Sequence, residues 1–117
     1  MYVRDVPEKS IEWLGSSRTD LRALPEDARR ALGFDLRRVQ GGRSPRDWKP
    51  MPTVGVGVVE IRVRDATGAY RLMYVAKLAD AIFVLHVFEK KSQKTAKLDL
   101  ALAENRYATL RRRLQEK

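Results

Sequence analysis

The stretch AYRLMYVAKLADAIFVLHVFEKKSQK, from Ala69 to Lys94, decides the fold of this chain. It contains two apolar runs, residues 69–78 and 81–88, rich in β-branched and aromatic side chains, which predict two strands joined by a short turn. Strands this apolar are normally buried on both faces, so polar groups within them or just past them need an explanation. The groups in question are Arg71, Lys77, His86, Lys90, Lys91 and Lys94.

Immediately upstream, the sequence predicts a third strand. It begins at Val54, and from Val59 to Arg64 apolar and charged residues alternate with the two-residue period of a strand that has one wet face. Residues 65–68, Asp-Ala-Thr-Gly, predict a tight hairpin turn. Three strands joined by two short turns predict an antiparallel meander.

The first half of the chain predicts one strand and two helices. Residues 10–14 alternate between polar and apolar side chains, which indicates a short strand. Ser16 or Ser17 can cap a first helix by accepting from backbone N–H groups. Pro25 suits the first position of a second helix, which two glycines end after Gln40.

The remaining segments are a loop and a last helix. Residues 43–53 hold three prolines and follow no period, so they predict a loop, in which Trp48 is either a lid on the core or a stacking residue. Thr95 suits the cap of a helix that runs to about Leu114. The predicted order is β-α-α-β-β-β-α, an α+β fold in one compact domain over residues 1–117. We expect the helices on one face of the sheet and the other face free for function.

Composition and charge limit the possible functions. The chain has 24 basic and 15 acidic residues and a formal net charge of +9, which attracts phosphate. The absence of cysteine excludes disulfides and thiolate ligands, and a single histidine argues against a zinc site. Arg4 and Asp5 stand where a signal peptide has its apolar core, and no run is long enough to span a membrane. We therefore expect a cytoplasmic protein with no membrane partner, metal or cofactor.

Side chains alternate between the two faces of a strand, so parity predicts which residues share a face. The inward set, expected under the helices, is Val59, Ile61, Val63, Tyr70, Leu72, Tyr74, Ala76, Leu78, Phe83, Leu85 and Val87. The outward set is Glu60, Arg62, Arg64, Arg71, Lys77, His86, Phe88 and Lys90, with the apolar residues Met73, Val75, Ile82 and Val84. This outward face is cationic and suits an RNA backbone, with Phe88 available to stack on a base. The alternative is an ordinary sheet surface on which Glu60 pairs with Arg62 or Arg71.

Four sequence strings carry a resemblance to a known family. They are IEWL from Ile11, LRRVQGG from Leu36, YRLMY from Tyr70 and VLHVFEKKSQKT from Val84. With these strings the chain resembles the RelE/HigB-type toxins of bacterial type II toxin–antitoxin modules, specifically their phage-related HigB-like branch. The resemblance covers nearly the whole chain and is tightest in the last string.

The resemblance implies an activity and a partner. Its toxins are ribosome-dependent mRNA endoribonucleases, in which the ribose 2′-oxygen attacks the adjacent phosphate, and they inhibit translation. The cognate partner is a small helix-turn-helix antitoxin. Two alternatives remain: a ParE-like inhibitor of gyrase without enzymatic activity, and a basic RNA-binding module without catalysis. Retention of Arg71 and the lysine cluster favours cleavage.

The resemblance also implies roles for individual residues. Arg71 matches the arginine that holds the scissile phosphate, and Lys90 or Lys91 matches the basic residue that stabilises the transition state or the leaving oxygen. The general base is open, because Ala96 stands near the place of the tyrosine that RelE carries after its last strand. His86 and Glu60 are the candidates, and His86 is otherwise a hydrogen-bonded core group. The residues implied to position RNA are Arg62, Lys77 and Lys94.

Overall fold

The structure, a computed structural model, describes residues 8–116. The prediction that concerns Arg4 and Asp5 lies outside the described residues. The elements are β1 (Ser10–Trp13), α1 (Ser17–Arg22), α2 (Glu26–Gln40), β2 (Trp48–Pro50), β3 (Val58–Asp65), β4 (Gly68–Val75), β5 (Ala81–Lys90) and α3 (Lys97–Gln115). The α+β class and the order of elements are confirmed, with one additional strand, β2, in the predicted loop. Within residues 8–116 no helix has both the length and the apolar character needed to cross a membrane.

The five strands form one sheet in the order β1-β5-β4-β3-β2. Neighbours from β2 to β5 pair antiparallel, as the predicted meander requires, and β1 pairs parallel with β5. A polar turn closes the β3–β4 hairpin, since the backbone N–H and the hydroxyl of Thr67 donate to Oδ1 of Asp65 at 2.8 and 2.6 Å. The three residues of β2 are too few to display a period, and the strand forms by pairing with the edge of β3.

Helices cover both faces of the sheet, so the prediction that they lie on one face is wrong. α2 packs an apolar stripe that includes Leu32 and Leu36 against Leu72 on one face. α3 packs Leu110 into a second cluster, with Phe83, on the opposite face. That opposite face is apolar at the end of the sheet away from the β3–β4 turn, and leaving it in water would cost roughly 25 cal/mol per Å². Only the end near the turn remains open.

Strand parity is correct for the apolar sets of β3 and β4, which face α2. It is wrong for the first half of β5, where Phe83 and Leu85 face α3 instead. The cause is a β-bulge: Tyr74 pairs with Val84 although the preceding residue pairs with His86, which leaves Leu85 as an extra residue. An extra residue in one strand reverses the alternation of its side chains. The residues of β5 before the bulge therefore lie on the face opposite to the predicted one, and the residues after the bulge lie on their predicted faces.

Several element ends differ from prediction by one to four residues. β3 begins at Val58 rather than Val54, because the preceding residues form a turn that includes Gly57 at φ +83°. β4 ends at Val75, three residues before the predicted end. Ala96, not Thr95, is the N-cap of α3.

The segment between α2 and β2 is fastened to α2 by Arg46. Its backbone N–H and its Nε donate to Oδ1 of Asp35 at 3.1 and 3.0 Å, and its guanidinium lies 4.5 Å from the ring centroid of Phe34. Burial, assisted by the charge of Asp35, raises the pKa of the nearby Tyr74 to about 12, so this hydroxyl stays neutral. The loop is thereby held in place and positions Trp48, which remains 43% exposed at the edge of the sheet.

A cationic pocket as the candidate functional site

The part of the sheet that α3 leaves open forms a pocket of about 730 Å³ beside the β3–β4 turn. Five of its lining residues are basic, and Asp65 is the one acidic residue among them. Hydrogen bonds from Thr67 lower the pKa of Asp65, so this carboxylate stays ionised. The pocket is lined by Arg62, Arg64, Asp65, Ala66, Thr67, Gly68, Ala69, Arg71, Lys90, Lys91, Ser92 and Gln93.

The register of three neighbouring strands brings the basic side chains together. Arg62 of β3 lies directly opposite Arg71 of β4, and Lys90 of β5 lies opposite Ala69 of β4. Adjacent strands are about 4.8 Å apart, so these three cations converge on one small surface. Like charges opposite each other in a sheet are destabilising, and an anion in the pocket would relieve their repulsion.

Arg71 lies at the floor of the pocket and is only 3% exposed. Its Nη1 donates to the carbonyl of Tyr70 at 3.1 Å, and its Nε lies 3.6 Å from Oε1 of Glu60, which is 1% exposed. Burial, and secondarily the cations Arg62 and Arg64, lower the pKa of Arg71, while Glu60 opposes this shift. Of the two pairings considered for Glu60, the structure forms the one with Arg71.

The Glu60–Arg71 pair is not fully satisfied. Oε2 of Glu60 and Nε of Arg71 are both buried and have no hydrogen-bond partner among residues 8–116. A separation of 3.6 Å is too long for a hydrogen bond, so the two groups attract each other as charges only. The guanidinium is therefore only partly neutralised by the protein and keeps the capacity to bind an anion.

Lys90 ends β5 at the rim of the pocket and is half-buried. Burial lowers the pKa of its ammonium group, and the cations Arg71, Arg62 and Lys49 lower it further. Lys49 lies opposite Glu60, on β2, and was not among the predicted site residues. No periodic signal in the sequence marks Lys49, because the three residues of β2 are too few to show an alternation.

The structure does not bring every predicted residue to the pocket. Lys91 lines it, whereas Lys94 is exposed in the same loop and does not line it. Lys77 lies past the far end of β4, six residues from Arg71, which at the rise of a strand is about 20 Å away. Phe88 is 8% exposed and stacks on His86 with 5.1 Å between ring centroids, so it is a core residue and the expected exposed stacking surface is wrong.

His86 is also buried, at 4% exposure, and both of its ring nitrogens have partners on α3. Arginine only donates hydrogen bonds, so Nη1 of Arg106, 3.2 Å from Nδ1, makes that nitrogen the acceptor. Nε2 then carries the proton and donates to Oδ1 of Asp99 at 2.7 Å. His86 does not line the pocket; it links β5 to α3 on either side of the lysine-bearing loop. Partners 13 and 20 residues away leave no local signal in the sequence.

Metal ligands are a separate question for this site. Across residues 8–116 no group of three or more His, Asp or Glu side chains is placed to hold a metal ion. The basic side chains that line the pocket are groups that bind anions.

Comparisons with known proteins were made against families, curated proteins and solved structures. Residues 19–108, which include every residue of the pocket, match the family described as phage derived protein Gp49-like (DUF891). No curated protein shows a significant match. A chain of the toxin–antitoxin complex RelBE2 from Mycobacterium tuberculosis is similar over 71% of this chain and 99% of its own length, with 24% sequence identity and a TM-score of 0.48.

Proposed function

The chain belongs to the Gp49-like family of phage-derived toxins, of the RelE/HigB type, and on this basis we propose that it is a ribosome-dependent mRNA endoribonuclease of a toxin–antitoxin module. The family membership agrees with the resemblance found in the sequence. The observation that carries the proposal is the position of Arg71, whose partly neutralised guanidinium lies at the floor of a pocket lined by four further basic residues. This arrangement suits the extra negative charge that a phosphate acquires during cleavage.

In the proposed reaction, the ribose 2′-hydroxyl gives its proton to solvent water as the 2′-oxygen forms a bond to the adjacent phosphorus. The bond from phosphorus to the 5′-oxygen breaks, and a cyclic phosphate remains on the upstream product. Arg71 stabilises the charge that develops on the phosphate oxygens. Lys90 or Lys91 stabilises the leaving 5′-oxygen, and the lowered pKa of Lys90 favours transfer of its proton to that oxygen.

The proposal assigns no separate general base. His86 has both ring nitrogens in hydrogen bonds to α3, and Glu60 is buried beside Arg71 without lining the pocket. We infer supporting roles for these two residues: Glu60 orients Arg71, and His86 holds the loop that carries the lysines. Charge stabilisation and the positioning of the 2′-oxygen then supply the rate enhancement.

The residues that line the pocket support the proposed dependence on the ribosome. Arg62 and Arg64 extend the cationic surface along the sheet and can bind the RNA backbone. Among the described residues, however, no aromatic side chain lines the pocket, so it has no aromatic ring on which a base can stack. We propose that the ribosome holds the mRNA in place and that this protein supplies the phosphate-binding groups.

The partner in this proposal is an antitoxin encoded beside the toxin. We propose a small helix-turn-helix DNA-binding protein, in keeping with the resemblance, and a cytoplasmic site of action. RNA and an acidic antitoxin are both negatively charged, so the same positive side chains attract both. An antitoxin in contact with the cationic face would therefore neutralise the toxin.

The test is to induce the protein in bacteria without an antitoxin and to map mRNA 5′ ends. We expect new ends phased with codons for the wild type, and none for Arg71→Gln. Arg29→Gln is the matched control, since Arg29 is exposed on α2, far from the pocket, and should leave cleavage unchanged.

Two outcomes would contradict the proposal. Intact transcripts together with accumulating DNA breaks would indicate a gyrase inhibitor of the ParE type. RNA binding in a purified system without new 5′ ends on translating ribosomes would indicate an RNA-binding module without catalysis.

A further inference from the structure

A second cavity, of about 540 Å³, lies at the opposite end of the sheet from the cationic pocket. It is bounded by the end of α2, the segment after it, β2 and the far ends of β3 and β4. Its surface is mainly apolar and includes Val39, Val59, Tyr74 and the half-exposed Trp48. We call this cavity the apolar groove; it shares no lining residue with the cationic pocket.

The groove is rigid before any ligand arrives. Pro45, Pro50 and Pro52 line it, and the segment that carries Pro45 is fastened to α2 through Arg46 and Asp35. Proline fixes φ and restricts the preceding residue, so little backbone freedom is lost when a ligand binds. A preformed apolar surface with an exposed tryptophan is typical of a protein-binding site.

The rim of the groove is positively charged. Among the described residues, Lys9, Arg43 and Lys77 line it and no acidic residue does. Nζ of Lys9 donates to the carbonyl of Ala76 at 2.8 Å, which holds its charge at the rim. Arg43 and Lys77 are exposed and form no salt bridge within residues 8–116. Their charges are therefore available to a ligand.

We propose that the apolar groove docks an acidic peptide segment of a partner protein, with apolar side chains against Trp48 and carboxylates at the rim. RNA is a poorer match, because the surface of the groove is mainly apolar, whereas the surface of the cationic pocket is mainly polar. A second copy of this chain is also a poor match, since each copy carries a net charge of +9 and the copies repel each other. The proposal does not depend on RNA cleavage.

The test uses a phage-displayed library of random peptides, about 12 residues long, selected on the full-length protein. Selected peptides are synthesised and titrated against the wild type, Arg43→Glu/Lys77→Glu and the control Arg29→Glu/Arg37→Glu. All four substituted side chains are exposed, and both double variants change the net charge equally. Any difference in peptide affinity between the two variants therefore reports where the charges lie and not the net charge. Trp48→Ser tests the apolar half, and thermal unfolding verifies that each variant is folded.

We expect the selected peptides to be rich in Asp, Glu and large apolar residues. Their affinity should fall at least about tenfold for Arg43→Glu/Lys77→Glu and for Trp48→Ser, and stay within about twofold for the control. Amide resonances near Trp48 and Ala76 should shift on binding. Equal binding to the wild type and Arg43→Glu/Lys77→Glu would overturn the proposal, as would peptides that shift the resonances of Arg71 and Lys90 instead.

A final arm separates the groove from the RNA site. Titration with single-stranded RNA should shift resonances of the cationic pocket and leave the groove unchanged. Shifts confined to the groove would make it an RNA site and overturn the peptide proposal. If the wild-type protein produced no mRNA cleavage in cells, by contrast, the proposed endoribonuclease activity would be contradicted and the peptide-docking proposal would be unaffected.

Discussion

Arg71 combines a structural and a proposed functional role in one side chain. Parity in the sequence suggests that Arg71→Ala removes toxicity without unfolding, on the assumption that Arg71 lies on a free face. In the structure it is 3% exposed and paired with the buried Glu60. A substitution at Arg71 therefore changes stability and ligand binding together, and a single variant does not separate them.

A double-mutant cycle separates the two roles. Arg71→Gln should lower the free energy of unfolding by about 3–5 kcal/mol, because it leaves the Glu60 carboxylate buried without a cation. Adding Glu60→Gln should restore most of that stability, since no buried charge remains, but should not restore cleavage. Urea unfolding and mapping of mRNA ends measure the two effects. Recovery of cleavage in the double variant would exclude Arg71 as the phosphate-binding residue.

The lowered pKa of Lys90 predicts the alkaline side of the pH–rate profile. If the protonated ammonium is required, the rate falls as Lys90 loses its proton, at a pH below that of an ordinary lysine. Lys90→Arg keeps its charge over this range and should move the fall in rate to higher pH. Lys91→Arg is the control and should leave the profile in place. An unchanged profile in Lys90→Arg would assign the titration to another group.

His86 can be tested by a residue that reproduces its hydrogen bonds. A glutamine amide can donate to Asp99 and accept from Arg106, so His86→Gln should keep most of the stability and most of the cleavage. His86→Ala, which leaves both partners unpaired, should cost about 1–3 kcal/mol of unfolding free energy. A folded His86→Gln protein without cleavage would show that the imidazole transfers a proton.

At the scale of elements, the bulge in β5 and the start of α1 are joined by Arg106 of α3. Its guanidinium donates to the carbonyl of Leu85 at 3.0 Å and to Oγ of Ser16 at 3.1 Å. Gly15 packs beneath it in the left-handed region at φ +54°. This side chain therefore helps to fix how α3 lies on the sheet, and so how much of the cationic face stays open.

A pair of glycine substitutions tests this contact. A Cβ at Gly15 would lie 2.5 Å from Nε of Arg106 and would also strain the backbone, so Gly15→Ala should lower the unfolding free energy by at least about 1–2 kcal/mol. Gly33, inside α2, is the control because a Cβ there meets nothing within 4 Å. Gly33→Ala should stabilise the protein by about 0.5–1 kcal/mol. Denaturant unfolding measures both, and equal effects would refute the proposed contact.

At the scale of the whole molecule, the net charge of +9 attracts polyanions from all sides, and the pocket brings five basic side chains together in one place. Lys90→Gln/Lys91→Gln should flatten the slope of log affinity for single-stranded RNA against log salt by about 1.4, as expected for two lost phosphate contacts. Arg29→Gln/Arg37→Gln removes the same charge elsewhere and should leave the slope nearly unchanged. Equal slopes for both variants would mean that RNA binding is diffuse.

The candidate functional surface could be predicted from sequence only where the strands are regular and consecutive. Arg62, Arg71 and Lys90 meet because they lie on three strands joined by short turns, whose alternation and order are visible in the sequence. Lys77 was misplaced because its strand ends earlier, and Lys49 was missed because a three-residue strand has no period.

The sequence by itself determined the order of elements, the meander and the charged face of β3 and β4, because hydrophobic periodicity and turn residues act over a few neighbouring positions. Only the tertiary structure decided the bulge at Leu85, the position of α3 over half of that face, and the burial of Arg71 and His86. These depend on contacts between residues far apart in the chain, whose energies are set by packing and by the pairing of buried charges. A local pattern does not encode such contacts.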